Sequence, residues 1–119
     1  MKKETIIRRA KHWRSVGIRK SAIHLHCYHY NTRLPLNLDE KPILTKDNLA
    51  AALFDLSIHD WEIYDMRYCK SYVTIEFVQC TNWKGQHRDT NIDADVIEAL
   101  LGLHGDPEPN PLLKLVNGV

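Results

Sequence analysis

The spacing of apolar positions changes several times along the chain, and each change marks an element boundary. Over residues 4–15, Ile6, Ile7, Ala10 and Trp13 fall near one face at helical spacing, while Arg8, Arg9, Lys11 and Arg14 cover most of the rest. Gly17, just beyond the last apolar position, is a stop signal. Over residues 22–30 the period becomes two: Ile23, Leu25 and Cys27 alternate with His24, His26, Tyr28 and Tyr30. That pattern predicts a strand with its aliphatic set facing a core. Residues 31–44, with Pro35, Asn37, Asp39 and Pro42, read as a long loop.

A helix is predicted next, with Thr45 or Asp47 as N-cap and an end near Ser57. Leu49, Ala52, Leu53 and Leu56 form its buried stripe. Residues 61–80 read as a β-hairpin turning at Lys70-Ser71, because both arms are rich in aromatic and β-branched residues. A two-residue turn there sets Tyr68 opposite Val73, Met66 opposite Ile75 and Tyr64 opposite Phe77. The other hairpin face then takes Asp65, Arg67, Thr74 and Glu76, with Trp61, Ile63 and Val78 nearer the base. This pattern outweighs a helix-turn-helix over residues 45–66. Residues 92–103 give a last helix, with Ile92, Val96, Leu100 and Leu103 on one face, a cap at Asn91 or Asp93, and Gly105 beyond its end. Pro107, Pro109 and Pro111 forbid continuation, and Leu112-Leu113-Lys114-Leu115-Val116 is apolar enough to dock on the domain or a partner.

The expected class is therefore α+β: a small three-stranded, at least partly antiparallel sheet with helices packed on one face, in the order α-β-α-β-β-α. The chain divides into a basic N-terminal helix and connector (1–21), a core domain (22–105) and a Pro-rich tail (106–119). A length of 119 residues suits one domain with a modest core. No apolar run is long enough to cross a bilayer and none follows the charged start, so neither a membrane span nor a signal peptide is expected. Three cysteines without Cys-x-x-Cys suggest free thiols and a cytoplasmic setting.

Charge changes the picture most. The formal net charge is +1, but residues 1–20 carry eight basic side chains against Glu4 alone, a balance of +7, and the remaining 99 carry eight basic and fourteen acidic, a balance of −6. Arg8, Arg9, Lys11, Arg14, Arg19 and Lys20 are thus candidates to hold phosphates, and Trp13 a candidate to stack on a base. Beside this stands a plainer alternative, in which Trp13 and Ile6 anchor the helix and the basic face is solvated or neutralised by the rest of the chain. The polar loop from Thr81 to Arg88 offers Trp83, Lys84 and Arg88 as a recognition surface, or Trp83 as a cover for one end of the sheet.

Other chemistry is thinly represented. His24-x-His26 puts two imidazoles on one strand face, a weak metal-site candidate without a third ligand; a half-exposed polar-aromatic sheet face is the structural alternative. Asp65 and Glu76 would face each other, with Arg67 near enough to form an ion pair. In the hairpin Cys69 and Cys80 lie roughly 27 Å apart at strand rise, too far for a disulfide. Phosphate-binding Gly-rich loops, G-x-S-x-G, H-E-x-x-H and EF-hand loops do not occur. No cofactor is expected.

These features lead to the expectation of a non-enzymatic binding or regulatory protein. It would engage an acidic partner, either nucleic acid or a nucleoprotein machine, through the basic helix. Small inhibitors encoded by phages or other mobile elements, such as anti-CRISPR or anti-restriction proteins, share this size and lack of catalytic motifs, by class-level analogy. Two alternatives are a metal-binding protein or small metal-dependent enzyme using His24 and His26, and an oligomeric module, a homodimer for example, joined through the hairpin edge or apolar tail.

Overall fold

A computed structural model describes residues 1–28 and 42–105. Its elements are α1 (Lys3–Ser15), β1 (Ala22–Tyr28), β2 (Pro42–Ile43), α2 (Lys46–Ile58), β3 (Trp61–Tyr68), β4 (Tyr72–Gln79) and α3 (Ala94–Leu101). Three helices and three long strands follow the expected α-β-α-β-β-α order, and the class is α+β. The two-residue β2 is an addition, formed at the end of what reads as loop. Residues 31–41 of that loop, together with His29, Tyr30 and the tail from residue 106, lie outside the described residues.

The sheet order is β2-β1-β4-β3. β3 and β4 pair antiparallel, β1 and β4 pair parallel, and β2 adds antiparallel to β1. After β1 the chain crosses through α2, lays down β3 one place beyond its neighbour, and returns β4 into the gap. This split β-α-β arrangement makes β1 and β4 the central strands. One sheet face carries Ile23, Leu25, Cys27, Val73, Ile75, Phe77, Ile63 and Met66, all buried beneath the helices. Single-sided burial is what the alternating pattern of β1 and β4 dictates.

The hairpin turns at Lys70-Ser71, where the Cys69 N–H donates to the Tyr72 carbonyl at 2.8 Å. Tyr68 faces Val73 and Met66 faces Ile75, as the turn requires. Below them a bulge falls between Ile63 and Asp65, so Ile63, not Tyr64, faces Phe77. One extra residue reverses the alternation beneath it. Trp61 and Ile63 therefore enter the core, and Tyr64 turns outward, 58% exposed. Those three placements correct the regular-register expectation.

β3 is an edge strand, and several of its outer groups have partners. The Ile63 N–H donates to Asn91 Oδ1 (2.7 Å), and Asn91 Nδ2 donates to the Ile63 carbonyl (2.9 Å) and the Met1 carbonyl (2.8 Å). Arg9 reaches the Met66 carbonyl, and the Thr90 hydroxyl donates to that of Trp61. Edges covered in this way resist pairing with another chain. Asn91 is thereby spent on the sheet, and Asp93 caps α3, accepting from the Val96 N–H at 3.0 Å. Thr45 caps α2.

α1 is part of the same core. Ile6, Ala10 and Trp13 are buried, with Ile7 packed beside them. At its end the Ile18 N–H donates to the Trp13 carbonyl and the Gly17 N–H to that of Arg14, with Gly17 at φ +85°. This is a Schellman stop, and the left-handed position favours glycine.

Candidate functional site

Two surfaces lie on opposite sides of the fold: the outer face of α1, and the sheet face turned away from the helices.

The basic residues of α1 and of the connector after it separate into two groups. Lys3 pairs with Asp93 and, at 3.5 Å, with Asp95 at the start of α3. The pair raises the Lys3 ammonium above its ordinary pKa, and Lys3 in turn holds the Asp93 carboxyl below its ordinary range, helped by the Val96 N–H. Arg9 meets Asp65 at 3.3 Å. Arg19 donates to the His104 carbonyl (3.2 and 3.4 Å), and Lys20 to the Lys70 carbonyl (2.9 Å). The second group, Arg8, Lys11 and Arg14, is exposed, and no ion pair joins these three to a carboxylate among the described residues.

Hollows lined by described residues lie on both flanks of the helix. A cavity of about 350 Å³ toward α3 is lined by Lys11 and Arg14 together with Asp95 and Glu98. A shallower one of about 410 Å³ on the other flank is lined by Thr5, Arg8, Arg9 and His12, with no carboxylate. Residues 5, 8, 9 and 12 form one stripe at helical spacing. Trp13 contributes nothing to either: it is 9% exposed and meets the Tyr68 ring edge-on at 5.1 Å. It anchors the helix, the plainer of its two sequence readings.

The loop after β4 is built on Asn82. Its Oδ1 accepts from the Lys84 N–H (2.9 Å) and the Gln86 N–H (3.0 Å), and its Nδ2 donates to Gln86 Oε1 (2.8 Å). That ordered turn leaves Trp83 77% exposed, with Lys84 Nζ 5.2 Å from its ring centroid. Arg88 pairs with Glu62. Trp83 therefore presents its ring outward and does not cover the sheet. The loop follows the hairpin base, whereas Trp13 meets the hairpin near its tip. No hydrogen bond or ion pair among the described residues joins the loop to α1.

The outward sheet face is rich in rings. Parallel pairing puts Ala22 beside Tyr72, His24 beside Thr74, His26 beside Glu76 and Tyr28 beside Val78. His24 stacks on Tyr72 (centroids 4.7 Å, planes 30° apart), and His26 meets Tyr28 (4.4 Å, 55°). In their midst Glu76 is only 5% exposed, ion-paired with Arg67. Partial burial, then a hydrogen bond to Glu76, pushes the Tyr28 phenol above its ordinary pKa. Asp65 and Glu76 are cross-strand partners as expected, but each carboxylate has its own arginine. Among the described residues no group of three or more His, Cys, Asp or Glu side chains is placed to hold a metal. Cys27 and Cys80 are buried and Cys69 is exposed; burial first, then Glu62 and Asp60, pushes the Cys80 thiol up to about 11. No helix of the described residues is long and apolar enough to cross a membrane.

The fold thus defines a small α+β domain with one helical layer and one sheet face on which no described element packs. No known protein family, characterised protein or solved structure matches the chain. Sequence reasoning marked the α1 cations but not which of them ion pairs consume. It noted the rings of β1, but it left Tyr72 unplaced on this face and set Tyr64 on the core face, because their placement depends on the parallel pairing and the bulge.

Proposed function

We propose that this is a non-enzymatic binding protein that engages an acidic partner, nucleic acid or a nucleoprotein surface, through the outer face of α1. The observation that carries the reading is that Arg8, Lys11 and Arg14 are exposed and no ion pair among the described residues joins them to a carboxylate, whereas Arg9, beside Arg8 in the hollow of about 410 Å³, is held by Asp65. Lys11 and Arg14 lie on the flank toward α3, beside Asp95 and Glu98. Several cations on one rigid face suit a polyanion, because each phosphate contact releases counterions. Burial of Ile6, Ala10 and Trp13 fixes the helix, so little ordering cost falls on binding. Such a surface fits stoichiometric regulation, as by an inhibitor of a nucleoprotein machine.

The test is capture from lysate by tagged wild type and by a variant carrying Arg8→Glu, Lys11→Glu and Arg14→Glu, each with and without nuclease. A partner retained by wild type and lost by the variant is the expected result. Nuclease sensitivity assigns it to nucleic acid, and nuclease resistance to an acidic protein surface. Equal capture by both baits would refute the reading.

A further inference from the structure

We infer that the outward sheet face, on which no described element packs, is a second binding surface, one that stacks the unpaired bases of single-stranded nucleic acid on Tyr28, Tyr72, His24 and His26. The inference is independent of α1, which lies on the other side of the sheet.

Three observations carry it. First, the rings stand on β1 and β4, the two central strands, where neighbouring rows lie roughly 5 Å apart. An uncovered sheet with aromatic side chains on its central strands can stack two or three splayed bases. Tyr28 is 45% exposed and Tyr64, on the β3 bulge across β4, 58%, while His24, His26 and Tyr72 are half-buried. Second, the charge of the face suits a polyanion. Its carboxylates, Glu76, Glu62 and Asp65, are neutralised by Arg67, Arg88 and, from α1, Arg9. Lys20 and Lys70 stand at the rim beyond Tyr72, linked by the Lys20 Nζ to Lys70 carbonyl bond. Third, the opposite end continues into the loop that holds Trp83 and Lys84 outward. Base stacking is tolerant of sequence because every base has a π face. A duplex, whose bases are already stacked and paired, cannot use such a platform.

The test is fluorescence anisotropy with a labelled thymidylate oligonucleotide of about 15 nucleotides, beside a duplex of the same length. The wild type should bind the single strand about tenfold or more tighter than the duplex. Tyr28→Ala with Tyr72→Ala should weaken it by about tenfold or more. Tyr28→Phe with Tyr72→Phe, which loses the hydroxyls but keeps the rings, should bind like wild type; a merely structural role for the Tyr28–Glu76 bond would make the phenylalanine variant fail too. The α1 variant should retain single-strand binding. No binding of the oligonucleotide, equal binding by the alanine variant, or loss confined to the α1 variant would each overturn the inference; the last would leave the α1 reading standing.

Discussion

The outer face of α1 and the outward face of the sheet solve surface chemistry in opposite ways. On α1 the charges come from one short stretch of sequence. Those turned toward neighbouring elements are consumed: Lys3 by Asp93 and Asp95, Arg9 by Asp65. Arg8, Lys11 and Arg14 stay exposed. On the sheet the residues come from three strands, carboxylates and arginines cancel, and rings are left as the distinctive groups. The contrast teaches that a run of like charge in sequence is an upper bound on a charged surface. A ring platform, in turn, exists only once distant strands are paired.

The largest expected effect separates the two sides of α1 itself. Ile6 is fully buried, so Ile6→Ala should cost about 2–5 kcal/mol in urea unfolding. Arg8→Ala, on the outer side, should stay within about 0.5 kcal/mol. A comparable cost for both would mean that the outer face serves the fold and is not spare for a partner.

A smaller effect concerns the consumed charges. Asp93→Asn keeps a capping oxygen for Val96 but loses the Lys3 pair. Because the folded Asp93 carboxyl lies below its ordinary 3.8, its charge stabilises the fold above that pH and loses this contribution as pH falls through the lower folded value. The pair is largely solvent-exposed, so the difference between wild type and Asp93→Asn should be small at neutral pH. It should close in acid below pH 3.8. A gap that persists there would assign it to the cap geometry instead of the Lys3 pair.

Much of the fold was legible because its signals are local. The Lys70-Ser71 turn, the Tyr68–Val73 pair, the Thr45 cap and the Gly17 stop each depend on a few adjacent residues. What escaped depends on single-residue or long-range events. One bulged residue at Tyr64 sends Trp61 and Ile63 inward. Two residues suffice for β2, too few to show a period. The parallel β1–β4 pairing carries no local mark, yet it brings Tyr72 beside β1 and creates the ring surface. For the site, the cations of α1 were visible, but their partition was not, since Asp65 and Asp93 lie far along the chain.

The most direct test of that partition is salt elution from heparin, a polyanion, by two variants of equal net charge. One carries Arg8→Gln and Lys11→Gln; the other carries Lys3→Gln and Arg9→Gln, the two cations held by carboxylates. The account predicts that the first elutes at clearly lower salt than wild type while the second stays close to it. Equal loss in both would mean that net charge alone governs binding, and would contradict a defined site on α1.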